Sequence, residues 1–264
     1  IVDGGSTDDT IEIAKQYGVN RILQDDGKGL AYARDVGWRS AKGTYILFID
    51  SDVLLPPDFS DKALQILAFN QDAGGVSAKL NYTCEGRGIH VKFQCYNIYY
   101  LAQQSFPVFP SEASLLNTAC ALCRRDALEK VDGFDHDFAM AWENVNISER
   151  LKEAGYKIHY VDSFATHIEF ADRFRKQNFK YGKAYVLLHN KYPKIFPLLT
   201  KKWIFNSLMV FTFPLLTPIC YLRHLPSYLR IKGLPLTTRL GLTLIEVERQ
   251  IIRTLGLLYQ LITG

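Results

Sequence analysis

Five apolar residues in a row, Tyr45 to Ile49, stop abruptly at Asp50-Ser51-Asp52. An unbroken apolar run closed by charges suits a strand of a parallel sheet covered on both faces. In open sheets of that kind, ligands gather at the carboxyl ends of the strands, where the two aspartates fall. Two carboxylates one residue apart on rigid backbone can grip a divalent cation that also holds a diphosphate. Mg2+ and Mn2+ prefer such hard oxygen donors and leave positions open for phosphate oxygens. Acidic turns after strands are common, so the pair takes its meaning from the segments around it.

Those segments alternate. "IVDGGSTDDTIEIAKQYGVN" opens with the end of an apolar run and a Gly-rich turn. Ser6 and Asp9 have the spacing of a capping box, Ile11, Ile13, Ala14 and Tyr17 approximate one apolar helix face, and Gly18 stops the helix. "NRILQ" reads as a short strand, "GLAYARDVGWRSA" as a helix, "PPDFSDKALQILAFN" as a turn and helix, and "GGVSAKL" as a strand. This β-α-β-α-β order predicts an α/β fold with a mostly parallel sheet flanked by helices. Residues 81–118 are less regular and rich in Tyr, Phe and Gln. "ACALCRRDALEKVDGF" reads as strand, helix and Gly-terminated loop, "NISERLKEAG" as a helix with Ile147, Leu151 and Ala154 on one face, and "YKIHYV" as a strand.

After His167 the chain changes character. Residues 1–167 carry 16 Lys and Arg against 23 Asp and Glu, a net of −7; residues 168–264 carry 15 against 4, a net of +11. A basic tail suits nucleic acid or an anionic membrane face. The uncharged twenty-residue run 203–222, flanked by Lys201, Lys202 and Arg223, fits lipid better than a phosphate groove and argues against nucleic acid. Pro214 and Pro218 would break a straight helix there. In 240–262, Leu240, Leu244, Val247, Ile251, Leu255, Leu258 and Ile262 recur at steps of three and four, an amphipathic helix suited either to the protein's own core or to a membrane surface. Five cysteines at irregular spacing, with a single CxxC at Cys120 and Cys123 and no second pair, read as buried small side chains in a reducing compartment.

Five motifs follow in order: "VDGGSTDDT", "GLAYARDVGWRSAKGTYILFIDSDV", "RRDALEKVDGFDHDF", "WENVNISERLKEAGYKIHYV" and His167. Together they resemble the family 2 glycosyltransferases, which have the GT-A fold, over about residues 1–190. The resemblance implies a catalytic domain over 1–190 and a helical, basic and apolar membrane-associating tail over 191–264. It implies nucleotide-sugar contacts at Asp3, Gly4, Ser6, Arg34 and Asp50, and a metal, Mg2+ or Mn2+, at Asp52, Asp50 and His167. Gly133, Phe134 and Asp135 match an acceptor-side loop, with Asp132 where the family has a first Gly. Asp35 stands where the family usually has Asn. The family's sheet also begins with a strand and helix ahead of the V-D-G-G-S strand. Residue 1 opens in mid-pattern, so the first strand and helix are expected to be missing.

An inverting transfer needs a base for the acceptor hydroxyl. In the family this is the Asp of a Glu-Asp pair at a helix start, and here the pair is Glu143-Asn144. An amide has no useful basicity. Three readings stay open: Glu143 or a nearby acid such as Asp135 or Asp137 takes the proton; an already ionised lipid-phosphate acceptor needs none; or the protein is a weak or inactive nucleotide-sugar- or glycan-binding partner of a membrane enzyme. The expectation is a glycosyltransferase with a nucleotide-sugar donor and a lipid-linked or glycan acceptor. It would act at the cell membrane with its catalytic domain on the cytoplasmic side.

Overall fold

The computed structural model describes residues 1–85, 93, 111–113, 115–170, 174–195, 222, 225–226, 228–230 and 235–263. The chain divides into two compact units, 1–80 with 107–166 and 81–106 with 167–264.

In the first unit, β1 (Val2–Asp3) and β2 (Leu23–Gln24) form a small parallel pair on either side of α1 (Thr10–Gln16). Helix α2 (Leu30–Ser40) leads into β3 (Tyr45–Ile49), β4 (Val53–Leu54), α3 (Phe59–Phe69) and β5 (Ala73–Glu85). Strand β6 (Ser111–Ala113) precedes β7 (Cys120–Arg124), α4 (Arg125–Lys130), a 3-10 turn (His136–Phe138), α5 (Glu143–Glu153) and β8 (Lys157–Phe170), and the ends of β5 and β8 run past the unit's bounds at Leu80 and Thr166. The main sheet has six strands in the order β3-β7-β5-β8-β4, with β6 paired to β8.

The sheet is mixed, not mostly parallel. Strand β7 pairs antiparallel with β3 (Tyr45↔Arg124 to Ile49↔Cys120) and with β5 (Gly75↔Cys123 to Ser77↔Ala121). It follows that β3 and β5 run in the same direction, as their helical crossover requires, with β7 slotted between them. Nor is β3 covered on both faces. It ends the strand order, with Ile46 and Phe48 buried while Leu47 is 37% and Ile49 42% exposed.

The core follows the helical repeats that the sequence shows. Phe59, Ala63 and Leu67 are fully buried at steps of four along α3. Ile147 and Leu151 on α5 join Trp38, Ile46, Phe48, Leu128 and Phe134 in one cluster. The face expected on α1 is largely open: Ala14 is buried, but Tyr17 is 85% exposed. The capping box does not form either, because the Ser6 hydroxyl donates to Asp3 instead and Asp9 makes no side-chain cap. Cys120 and Cys123 are free thiols in the interior, and burial pushes them up to about 11 and about 12.

In the second unit, α6 (Phe174–Lys191) packs along α7 (Leu236–Thr263). This pairing groups α6 with α7 in the unit that holds 81–106 and 167–264. The apolar stripe read on α7 is only partly covered. Its buried residues are Leu242, Thr243, Ile245, Glu246, Val247, Gln250, Thr254, Gly256 and Leu257. Leu244, Leu255 and Ile262 of that stripe are exposed, while Val247 is buried. The reason lies in the partner surface. Gly182 of α6 abuts the Arg253 carbonyl and Gly256 abuts the Phe179 carbonyl, and the polar groups turned inward satisfy one another. Glu246 accepts from Arg249, Gln250 and Tyr228, and Arg253 donates to Asn178. Among the described residues no helix is long and apolar enough to cross a membrane. The run 203–222, Leu222 apart, lies outside the described residues.

Candidate active site

Three elements of the first unit bring charged groups to the carboxyl end of β3. Helix α2 starts at Gly29, whose φ of 95° only glycine adopts readily. A Cβ there would lie 2.5 Å from the Ala139 carbonyl, which also accepts the Leu30 N–H. This seam seats α2 against the segment that leads into α5. That segment turns into α5 through Trp142, held at φ 68°, an unusual conformation for a bulky residue and one that collects near functional sites. Glu143 then falls in the first turn of α5, where the positive helix end favours a carboxylate.

From α2, Arg34 reaches both acids. Its Nη1 donates to Glu143 Oε1 at 2.5 Å and its Nη2 to Asp50 Oδ1 at 2.8 Å. The guanidinium fork is suited to holding two carboxylates at once. Arg34 and Glu143 are buried, and Asp50 is half-buried. The buried Thr118 adds its hydroxyl to Glu143 Oε1 at 3.3 Å. Neither the Thr118 contact nor the pairing of Arg34 with Glu143, 109 residues apart, leaves any local pattern in the sequence.

The other candidate residues are placed as follows. Asp3 closes its own turn: it accepts the Ser6 hydroxyl at 2.5 Å and the N–H groups of Gly5 and Ser6. The Ser6 hydroxyl holds its carboxyl below the usual range, against burial, and the Ser6 and Gly5 amides and Gln24 add to this. Gly4 lies beside the Asp25 carboxylate. Asp52 is half-buried two residues past Asp50. Asp135 caps the 3-10 turn by accepting the Asp137 N–H at 3.1 Å. Asn144 is half-buried, and its amide oxygen accepts the N–H of Val145. His167 belongs to the second unit, where its ring lies 5.2 Å from that of Tyr82.

Asp35 is a structural clamp that the sequence reading assigned no role. It accepts from Trp38 Nε1, Arg39 Nε and the Phe134 N–H, and contacts His136 Nε2. Burial pushes its carboxyl up, but the Phe134 amide, Arg39, Trp38 and His136 outweigh this and hold it below the usual range. It fixes the loop after Asp132 to α2.

Asp50 and Asp52 offer hard oxygens at one strand end, which suits Mg2+ or Mn2+ completed by diphosphate oxygens and water. Among the described residues no group of three His, Cys, Asp or Glu is arranged to hold a metal. A cavity of about 460 Å3 lined by Val2, Val19, Arg21, Leu23, Gly37 and Lys42 contains none of the candidate residues.

An α/β sheet with acids gathered at the carboxyl end of a strand offers a ligand site of a general kind. The family profile of Glycosyl transferase family 2 matches residues 1–132, and the chain belongs to that family. Glycosyltransferase AglE of Haloferax volcanii is 23% identical over 195 residues, covering 70% of this chain and 62% of that protein. An N-acetylglucosaminyl-diphospho-decaprenol L-rhamnosyltransferase of Mycobacterium tuberculosis is 27% identical over 194 residues, covering 62% of this chain and 63% of the relative. The chain thus spans less than two thirds of either protein. A solved mannosyltransferase, PcManGT from Pyrobaculum calidifontis in complex with GDP-Man and Mn2+, superposes with a TM-score of 0.60 at 18% identity, covering 98% of this chain and 76% of that one. At that identity the likeness speaks for the fold.

Proposed function

We propose that the chain transfers a sugar, with inversion, from a nucleotide-sugar to a lipid-linked or glycan acceptor. The observation that carries this is the convergence of Asp50, Arg34 and Glu143 at the carboxyl end of β3, where α/β sheets bind ligands. Asp50 and Asp52 would hold Mg2+ or Mn2+, which as a Lewis acid supplies stabilisation of the leaving phosphate charge. The mannosyltransferase solved with GDP-Man and Mn2+ supports a metal-assisted donor site, and the decaprenol-linked substrate named for the mycobacterial relative supports a lipid-linked acceptor. Asp3 shapes the turn that receives the nucleotide, with Gly4 and Ser6 beside it. Asp135 lies on the acceptor-side loop, and His167 is a further candidate toward the metal.

The protein acts at the cytoplasmic face of a membrane in this reading. Support comes from the net +11 of residues 168–264 and from the exposed Leu244, Leu255 and Ile262 of α7. A second reading, a binding partner with little turnover, is favoured by Asn144 at the position of the family base. Incubating the full chain with Mn2+ and a panel of UDP- and GDP-sugars, with polyprenyl phosphate or oligosaccharide acceptors, tests both. Transfer supports the enzyme. Nucleotide binding without turnover, gained on Asn144→Asp, supports the partner. Neither binding nor turnover sinks both.

A further inference from the structure

We infer that Glu143 is a positioning residue for Arg34 and, through it, for Asp50, rather than the group that takes the acceptor proton; the inference rests on the glycosyl-transfer reading above. A general base must come within about 2.6–3.2 Å of the proton's donor atom, or one water away. The Glu143 side chain is 8% exposed, and its Oε1 is already taken by Arg34 Nη1 and the Thr118 hydroxyl. What it does reach is the guanidinium that grips Asp50. A buried arginine between two carboxylates on different elements has its orientation fixed by both. Removing either acid leaves a buried cation half-compensated and free to rotate. The chain of contacts Thr118–Glu143–Arg34–Asp50 therefore links the start of α5 to the strand end that would hold the donor, so Glu143 acts on donor binding.

The test compares Glu143→Gln, Arg34→Lys and Thr118→Val in the full chain, each checked for folding by thermal melting. Binding of UDP and of GDP with Mn2+ is measured first, then the pH profile of transfer with the nucleotide-sugar that the panel selects. The positioning role predicts that Glu143→Gln weakens nucleotide binding about tenfold, with Thr118→Val weaker in the same direction. It predicts that Glu143→Gln combined with Arg34→Lys is no worse than Arg34→Lys alone, and that the acidic limb of the pH profile stays. A loss of turnover of about 10²–10⁴-fold with that limb gone and nucleotide affinity unchanged is the signature of a base and overturns the inference. Absence of nucleotide binding by the unaltered chain overturns the donor-site reading itself, a result distinct from a Glu143 effect.

Discussion

Asp35 accepts the backbone N–H of Phe134 at 3.0 Å, joining residues 99 apart in the chain. The same carboxylate accepts from Trp38 and Arg39, so one buried acid holds the Phe134 loop against α2. Replacing it with Ala leaves buried donors unpaired, which costs about 2–4 kcal/mol. Urea unfolding should show a lower midpoint for Asp35→Ala at an unchanged slope. Because the folded carboxyl lies below its unfolded range, its contribution is complete above about pH 4 and fades as pH falls further. The stability gap between the variant and the unaltered chain should therefore narrow in strong acid.

Gly182 and Gly256 let α6 and α7 approach until each sits on the other helix's backbone. A methyl at either position drives into a carbonyl. Gly182→Ala and Gly256→Ala should each destabilise the second unit by about 1–3 kcal/mol. Hydrogen exchange of the α6 and α7 amides would report this, while protection in β3, β5 and β7 should hold.

Asp50 and Asp52 are proposed to hold the metal and the donor. Saturating Mn2+ with the right nucleotide at 100 times its Kd stabilises a protein by about 2.7 kcal/mol. Asp52→Asn should abolish most of that thermal shift. Asp50→Asn should abolish it and also lower the ligand-free melting temperature, because Arg34 loses one of its two partners.

The outward leucines of α7 give the membrane reading its own test. Leu244 is 54% and Leu255 42% exposed, so charging both should leave the fold nearly intact. Leu244→Glu with Leu255→Glu should reduce co-sedimentation with anionic phosphatidylglycerol vesicles several-fold and leave the melting temperature within about 2 °C. Unchanged vesicle binding would remove α7 from the membrane contact.

Much of the first unit is readable before any coordinates. The run from Tyr45 into Asp50 marks a strand and where it stops, and Ile147 and Leu151 mark the buried side of α5. The strand order is not readable. Alternation of helix and strand says how β3 and β5 connect, but not that Cys120–Arg124 enters between them the other way round. The partner of Glu143 is hidden for the same reason, since Arg34 lies 109 residues upstream. On α7 the apolar spacing is real, yet spacing reports where leucines lie on a helix, not which side a neighbour covers. Two glycines and a set of mutually satisfied polar groups drew the contact part of the way off that stripe.

Strand β7 also sets an order of events. During synthesis, β3 and β5 are both made before residue 86, yet the strand that joins them ends at Arg124. Until then each has an edge with no neighbour from its own sheet, and such edges invite pairing with other chains. The contacts closed by β7 are long in sequence and slow to form. The heart of the sheet is therefore completed late, when β7 arrives between two strands that have been waiting for it.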